Sequence, residues 1–482
     1  MRWRLILHVV GLLTLFFGLT MALPLVVSLL FKDGSGIPML LSLAITILFG
    51  ASMTFGFRGT KIADIRQREG MAIVFFGWTA MGLFGALPFF LAGEGVSFTN
   101  AFFESVSGFT TTGSSILTNI EQNAEGILFW RSFIQWLGGM GIIVLSLAVL
   151  PFLKVGGMQL YKAEVPTPVP DKLKPRIQET AVTLWKVYIL FTFLQVLLLL
   201  AGGMNLYEAV CHAFTTMPTG GFSTKNTSIA HYNSIYFDTV FILFMLMAGI
   251  NFSLHYQMLK GKPLAIWRDA EGRFFLFLSL ILVLLVSWNI HGEVYNTLGE
   301  SIRYGAFQVV SILTTTGFAT ADYETWPAMS QIILFLCMFI GASAGSTGGG
   351  IKCLRLMLLF KYCTRELFLL VHPKSITHIK INGKPIPEEI IRSVIGFLAL
   401  YIGLFAVCTV ILSGLGVDFV TSLTAVASCI GNIGPGFGMV GPAENYAVIP
   451  TLGKWLLIWC MLLGRLEIYT VIILLAPEFW RK

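Results

Sequence analysis

The chain has 482 residues, 56% of them hydrophobic and only 12% charged, with a formal net charge of +7. A soluble domain carries about 25% charged residues to cover its surface, so this composition excludes a water-facing exterior. The positive balance does not point to nucleic acid, because no basic helix and no run of interleaved lysines and aromatics occurs.

A membrane-spanning helix needs about 20 apolar residues. Ten stretches qualify: 5–31, 37–57, 71–93, 127–153, 181–203, 236–259, 274–292, 329–363, 393–415 and 452–476. The first follows Arg2 and Arg4 as a signal peptide would, but its apolar run outlasts an h-region of about 7–15 residues. Charge placement sets the orientation. With a cytoplasmic N-terminus the inner loops hold Arg58, Lys61, Arg66 and Arg68, then Lys154, Lys162, Lys172, Lys174 and Arg176. Lys260, Lys262, Arg268 and Arg273 follow, then Lys361, Arg365, Lys374, Lys380, Lys384 and Arg392. The outer loops hold only Lys32, Arg131, Lys225, Arg303 and Lys454. Both termini are expected to be cytoplasmic.

Each of the last four helix pairs is joined outside by a mildly apolar stretch too short to cross twice. These hold GFTTTGSS (108–115), TMPTGGFST (216–224), LTTTGFAT (313–320) and IGNIGPGFG (430–438). Aligned on Gly113, Gly221, Gly317 and Gly434, they share further positions. Sixteen residues earlier stand the cap types Ser97, Asn205, Ser301 and Asp418. Small residues follow at Ala101, Ala209, Gly305 and Ser422, and hydroxyls at Ser107, Thr215, Ser311 and Ser428. The pattern predicts a short capped helix followed by an extended Thr/Gly strand, four times over. In lipid such backbone survives only where protein buries it or it lines a cavity. Four copies around one axis would aim their helix C-termini inward and offer a ring of carbonyls in place of an ion's hydration shell.

SGFTTTG, TGGFS, TTTGF and NIGPGFG resemble the filter loops of the Trk/Ktr/HKT superfamily of potassium transporters, with the likeness running over 71–482. The additional spans at 1–60 resemble the TrkH/TrkG-type membrane subunit. The resemblance implies an all-α integral membrane fold of four membrane–pore–membrane repeats with pseudo-fourfold symmetry around one pore. Two extra N-terminal helices (1–60) precede the repeats, expected at 61–160, 161–262, 263–375 (with a broken inner helix) and 376–482. The ion selectivity filter would comprise Thr111, Thr112, Gly113, Thr219, Gly220, Gly221, Thr315, Thr316, Gly317, Asn432, Ile433 and Gly434. Potassium would meet backbone carbonyls of Thr111, Thr112, Thr219, Gly220, Thr315, Thr316, Asn432 and Ile433. Glycine at all four aligned places implies potassium as the ion, and loops unlike TVGYG imply looser selectivity than in tetrameric channels.

The stretch 329–363 is too long for one straight crossing at about 1.5 Å per residue. Its GASAGSTGGG (341–350) is dense enough in glycine to break a helix. GSTGGGIK resembles a phosphate loop, but Ile351 separates glycine from Lys352 and no strand precedes it. A close helix-packing surface is the other reading of these small residues. By resemblance Gly345, Ser346, Thr347, Gly348, Gly349 and Gly350 form an intramembrane gate, joined by Arg465 as a charge in the pore. From the residues alone, Arg465 within an apolar span faces either a cavity or a partner. Asn251 in the second repeat offers a polar contact to the cavity or to a helix. The stretch 374–390 alternates around Asn382-Gly383, a hairpin signal.

The seven cysteines (Cys211, Cys337, Cys353, Cys363, Cys408, Cys429, Cys460) include no CxxC and read as small core hydrophobes. The seven histidines show no metal-ligand spacing, and no nucleophile–base or carboxylate pair suggests an enzyme. The function expected is gated potassium uptake across a bacterial inner membrane, with a secondary cation symporter coupled to protons as the alternative. By resemblance the partners are a cytosolic nucleotide-binding regulatory subunit of TrkA type and a second copy in a homodimer, in membrane lipid and without nucleic acid. The transported K+ ion is the one ligand expected.

Overall fold

Inside a bilayer every backbone N–H and C=O must find a partner within the protein, which makes apolar stretches helical. The structure, a computed structural model, describes residues 1–58, 66–93, 96–148 and 173–481. The expected junctions at 60–61 and 160–161, and Lys61, Lys154, Lys162 and Lys172, lie outside these residues.

The N-terminal extension is α1 (Trp3–Thr20), α2 (Ala22–Phe31) and α3 (Gly36–Gly56). In the first repeat α4 (Gln67–Gly85) and α5 (Leu87–Ala92) lead to the short α6 (Phe98–Phe109), and α7 (Glu125–Ala148) returns. The second repeat has α8 (Leu173–Ala201), the short α9 (Leu206–Thr216), and a return split into α10 (Ile235–Gly249) and α11 (Phe252–Leu259). The third has α12 (Ala270–Ile290), the short α13 (Leu298–Leu313), then α14 (Ala328–Ile340) and α15 (Cys353–Val371). The fourth has α16 (Glu388–Gly414), the short α17 (Phe419–Gly431), then α18 (Thr451–Arg465) and α19 (Ile468–Ile472). Four re-entrant helices thus sit between membrane-spanning pairs in pseudo-fourfold arrangement.

Among the described residues six helices are long and apolar enough to cross a membrane, and two bent pairs pass the same test. Their most apolar windows are only 22–50% buried. Leu48, Leu284 and Val410 are among the large apolar side chains left exposed. A helix apolar on its outward face as well as its inward one belongs in lipid. Gly50 allows α1 and α3 to touch, since a Cβ there would stand 2.5 Å from the backbone nitrogen of Leu15.

The two termini meet on one side. Trp3 and Trp480 stack with centroids 5.4 Å apart, and the Arg68 guanidinium donates to the Arg481 carbonyl at 3.1 Å. Four of the five cations expected on the outer side are held in polar contacts. Arg131 pairs with Glu104 at 2.6 Å, Lys225 with Glu208 at 2.9 Å and Arg303 with Asp238 at 2.6 Å. Lys454 donates to Asn100 Oδ1 at 2.9 Å. The hairpin forms as expected, pairing Lys380–Ile381 with Lys384–Pro385 around Asn382 (φ 49°) and Gly383 (φ 78°).

Candidate functional site

The short helices start where cap residues satisfy an orphan N–H. Ser97 accepts from Asn100 at 3.3 Å, Asn205 from Glu208 at 2.8 Å and Asp418 from Thr421 at 3.0 Å. The third cap corrects the sequence alignment. It is Thr297, accepting from the Glu300 N–H at 3.3 Å, so α13 is a turn longer and Ser301 lies inside it, its hydroxyl donating to the Thr297 carbonyl.

Each helix runs into the same backbone turn. Two residues before the aligned glycine the chain is left-handed: Thr111 (φ 51°), Thr219 (57°), Thr315 (61°) and Asn432 (56°). The glycines also have positive φ, at 85°, 73°, 81° and 110° for Gly113, Gly221, Gly317 and Gly434. The residue between them donates its N–H to the carbonyl five positions back. These bonds are Thr112 to Ser107 (2.9 Å), Gly220 to Thr215 (2.9 Å), Thr316 to Ser311 (2.8 Å) and Ile433 to Ser428 (3.0 Å). Left-handed threonine is uncommon and costly. Its recurrence in three loops is a shared strain absent from any single turn motif.

The four turns touch in a closed ring. A Cβ on Gly113 would stand 2.1 Å from the Gly220 carbonyl oxygen, and one on Gly221 1.9 Å from that of Thr316. One on Gly317 would stand 1.9 Å from that of Ile433, and one on Gly434 2.9 Å from that of Thr112. Each loop thus presses its glycine against the next loop's carbonyl, and the fourth closes on the first. All twelve residues named for the filter fall in these turns. Backbone oxygens of Thr112, Gly220, Thr316 and Ile433 are thus crowded together at the C-terminal ends of the four short helices, an arrangement whose partial negative charge favours a cation.

Side chains that differ between repeats brace the ring. Gln135 donates Nε2 to the Gly220 carbonyl at 2.7 Å and accepts from Phe222 N–H at 3.2 Å. Asn432 Nδ2 donates to Thr112 Oγ1 at 2.9 Å and to the Met461 carbonyl at 3.0 Å. The Tyr446 hydroxyl donates to the Gly434 carbonyl at 2.8 Å. Buried Glu104 takes Arg131 Nε at 2.6 Å and the Ile116 N–H at 2.9 Å, while Arg131 Nη1 reaches the Ser223 carbonyl at 2.8 Å. This clasp fastens the strand after the first turn to the strand after the second. Sequence reasoning missed Gln135 and Glu104, whose signal is a polar residue inside an apolar helix.

Among the described residues three of the four returning helices break: α10/α11 by 103°, α18/α19 by 117°, and α14/α15 at the 341–352 loop. That loop takes up polar groups that the other breaks release. The Ser343 N–H donates to the Gly249 carbonyl at 3.0 Å, and the Phe252 N–H to the Gly345 carbonyl at 3.2 Å. Gly345 packs against Asn251, which caps α11 through Ser253 N–H at 2.9 Å. Ser346 Oγ closes on the Ser343 carbonyl at 2.6 Å. Thr347 Oγ1 donates to the Met217 carbonyl at the end of α9 at 2.9 Å. The Gly349 N–H donates to Thr315 Oγ1 at 2.7 Å, and a Cβ on Gly349 would stand 2.2 Å from the Gly431 carbonyl. Gly348 lies against the Thr314 carbonyl, and Gly350 against Gly341. The loop therefore lies against the ends of three of the four short helices.

Two cations hold it. Arg465, at the end of α18 where the helix breaks, donates Nη1 to the Thr347 carbonyl at 2.7 Å. Among the described residues its Nε and Nη2 have no hydrogen-bond partner. Lys352 (φ 77°) turns its ammonium back onto the Gly348 carbonyl. The adjacent carboxylate, Glu467 (φ 60°), is bound elsewhere, to Arg355 Nη2 at 2.6 Å, and the Arg355 guanidinium stacks on Phe397.

Residues 37–482 match the TrkH family model, described as a cation transport protein. The chain is 42% identical over 488 residues to the Trk system potassium uptake protein TrkH of Escherichia coli (strain K12), covering 100% of both chains. It is 36% identical over 483 residues to TrkG of the same organism, covering 99% of each. The crystal structure of the potassium transporter TrkH from Vibrio parahaemolyticus superposes with a TM-score of 0.92 at 38% identity, covering 100% of both chains. With its re-entrant helices, its ring of glycine loops and these full-length likenesses, the chain belongs to the TrkH family of multi-pass membrane cation transporters, which are not enzymes.

Proposed function

We propose that this chain takes up potassium through a gated, selective pore in a bacterial inner membrane. The observation that carries the reading is the closed ring in which each glycine abuts the next repeat's carbonyl. Potassium sheds its water for carbonyl oxygens of Thr111, Thr112, Thr219, Gly220, Thr315, Thr316, Asn432 and Ile433. The Gly220 oxygen accepts from Gln135 and keeps a second lone pair for the ion. Gly113, Gly221, Gly317 and Gly434 let the loops approach closely enough for those oxygens to share one ion.

Gly345, Ser346, Thr347, Gly348, Gly349 and Gly350 obstruct the path beneath, and Arg465 adds an electrostatic barrier at Thr347. A charge in that low-dielectric interior acts on a passing cation far more strongly than in water. Both termini face the cytoplasm, in keeping with the basic inner loops. A cytosolic nucleotide-binding regulatory subunit of TrkA type and a second copy of the chain complete the transport system. Four repeats running in one orientation around one ring support a pore rather than a proton-coupled symporter, many of whose folds use inverted repeats. The test is the reversal potential of the reconstituted chain in opposed potassium and sodium gradients. A potential near the potassium equilibrium value is expected. One that ignores the potassium gradient, or tracks a proton gradient instead, refutes the reading.

A further inference from the structure

We infer that Glu271 is the latch that holds the 341–352 loop in place, and that the cytoplasmic hairpin at Asn382 is mechanically coupled to it. This deepens the proposed gate and rests on that reading. Glu271 is buried in the first turn of α12, where a carboxylate is favoured by the helix dipole. Its Oε1 accepts the Ala344 N–H of the loop at 2.6 Å and the Leu354 N–H, in the first turn of α15 just past the loop, at 3.1 Å. One oxygen thus ties the outgoing limb of the loop to the start of α15. The Ala344 donor belongs to the segment that must move if the loop swings away, and the Leu354 donor to the helix that follows it. Releasing them inside the membrane leaves a buried carboxylate without its partners, which is costly.

The same turn of α12 is grasped from the cytoplasmic side. Asp269 caps the helix through the Gly272 N–H at 2.8 Å. Asn382, at the hairpin tip, donates Nδ2 to Asp269 Oδ1 at 2.9 Å and accepts the Ala270 N–H at 2.8 Å. Lys361 on α15 donates to the Lys380 carbonyl of the hairpin at 2.6 Å. The hairpin therefore bridges the start of α12 and the helix leaving the loop. A force on the hairpin reaches Glu271 within two residues and α15 through Lys361, so a cytoplasmic partner that displaces it loosens the latch without entering the membrane.

The experiment compares potassium flux in vesicles reconstituted with the full chain and with Glu271→Ala, Glu271→Gln, Asn382→Ala, the Glu271→Ala/Asn382→Ala pair, and a deletion within 345–350. Glu271→Ala is expected to raise basal flux about tenfold, the effect of about 1.4 kcal/mol on a closed–open equilibrium. Glu271→Gln stays near wild type, since an amide oxygen accepts the same two N–H groups. Asn382→Ala raises flux less and adds nothing to Glu271→Ala, the non-additivity of one coupled unit. Alkylation gives a second readout. Cys353 is fully buried, its Sγ 3.4 Å from the Gly341 carbonyl. In a Cys363→Ser background, which removes the exposed thiol, a maleimide should modify Cys353 faster in Glu271→Ala than in Glu271→Gln at equal thermal stability. If the deletion raises flux while Glu271→Ala changes neither flux nor labelling, the latch is wrong and the gate stands. If the deletion itself leaves flux unchanged, both fall. Additive effects of Asn382→Ala and Glu271→Ala overturn the coupling.

Discussion

Replacing the ring glycines by alanine separates carbonyl displacement from backbone strain, because the four positions are not equally crowded. A Cβ contact under 3.0 Å is essentially never seen. At Gly317 the new atom would stand 1.9 Å from the Ile433 oxygen, so that oxygen must retreat by about 1 Å, a large step for an oxygen that coordinates an ion. Gly221→Ala makes the same demand on Thr316, and Gly113→Ala a slightly smaller one on Gly220. At Gly434 the contact is 2.9 Å, which a few tenths of an ångström relieves. Its φ of 110° lies furthest from the left-handed region that side chains tolerate. Backbone strain there is at least the roughly 1–2 kcal/mol of a left-handed residue. Gly317→Ala is therefore expected to lower the potassium-to-sodium permeability ratio about tenfold, equivalent to about 1.4 kcal/mol between the ions. Gly434→Ala is expected to lose thermal stability at least as much while keeping more of the ratio. Gly113→Ser is expected to behave like Gly317→Ala, admitting sodium. Reversal potentials under bi-ionic conditions, with thermal unfolding of the same preparations, make the comparison. An unchanged ratio in Gly317→Ala, or a greater loss in Gly434→Ala, would refute the carbonyl-ring reasoning.

Arg465→Ala is expected to raise vesicle potassium flux with the potassium preference intact, and Arg465→Lys to stay closer to wild type. Loss of stability without a gain in flux would remove the barrier role. Arg355→Ala leaves buried Glu467 unpaired and is expected to cost about 3–5 kcal/mol, well beyond Arg465→Ala, which orphans no carboxylate among the described residues; thermal unfolding ranks the two. Thr297→Ala should cost about 1 kcal/mol as a lost cap and Ser301→Ala less, the reverse of the order the aligned sequence suggests. In the loop between α2 and α3, burial pushes the Asp33 carboxyl up, but hydrogen bonds from Ser28, the Gly126 N–H and Ser35 outweigh it and hold its pKa below the ordinary value. Its stabilising contribution is thus present above the usual aspartate pKa and lost as pH falls through the depressed one. Asp33→Asn should flatten that acid limb in pH-dependent unfolding, and an unchanged limb would count against it.

The four glycines and three of the caps were legible because each states a local backbone requirement. Ser301 misled because alignment at fixed spacing cannot register a helix that is one turn longer. The left-handed residue before each glycine was hidden in three loops, since threonine is a poor sign of that conformation and only Asn432 is a natural occupant. The third broken helix showed itself through glycine density, but the breaks after Gly249 and Arg465 did not. Each of those sequences carries too little glycine to end a helix alone. At Gly249 the break is held open by the 341–352 loop, which bonds to the freed groups, a contact made across nearly a hundred residues. Glu271 and Glu467 were illegible for the same reason: each sits beside like or unlike charges in sequence and bonds to something distant in space.

Joining four repeats in one chain has a consequence that four identical subunits could not reach. Identical subunits would place a copy of any loop under every glycine turn, and the copies would compete for one axis. Here, among the described residues, only the third repeat carries a loop such as 341–352, and the others differ where they meet it. The second offers the Ala248, Gly249 and Met217 carbonyls, the fourth offers Arg465, and the first keeps α7 unbroken through Ala148. The ring stays fourfold, its backbone turn repeated in every copy, as the proposed coordination of one ion by oxygens on all sides requires. Symmetry is thus retained in the ring and abandoned one layer below, where a single loop lies against the ends of three short helices, as a gate moved as one segment would require.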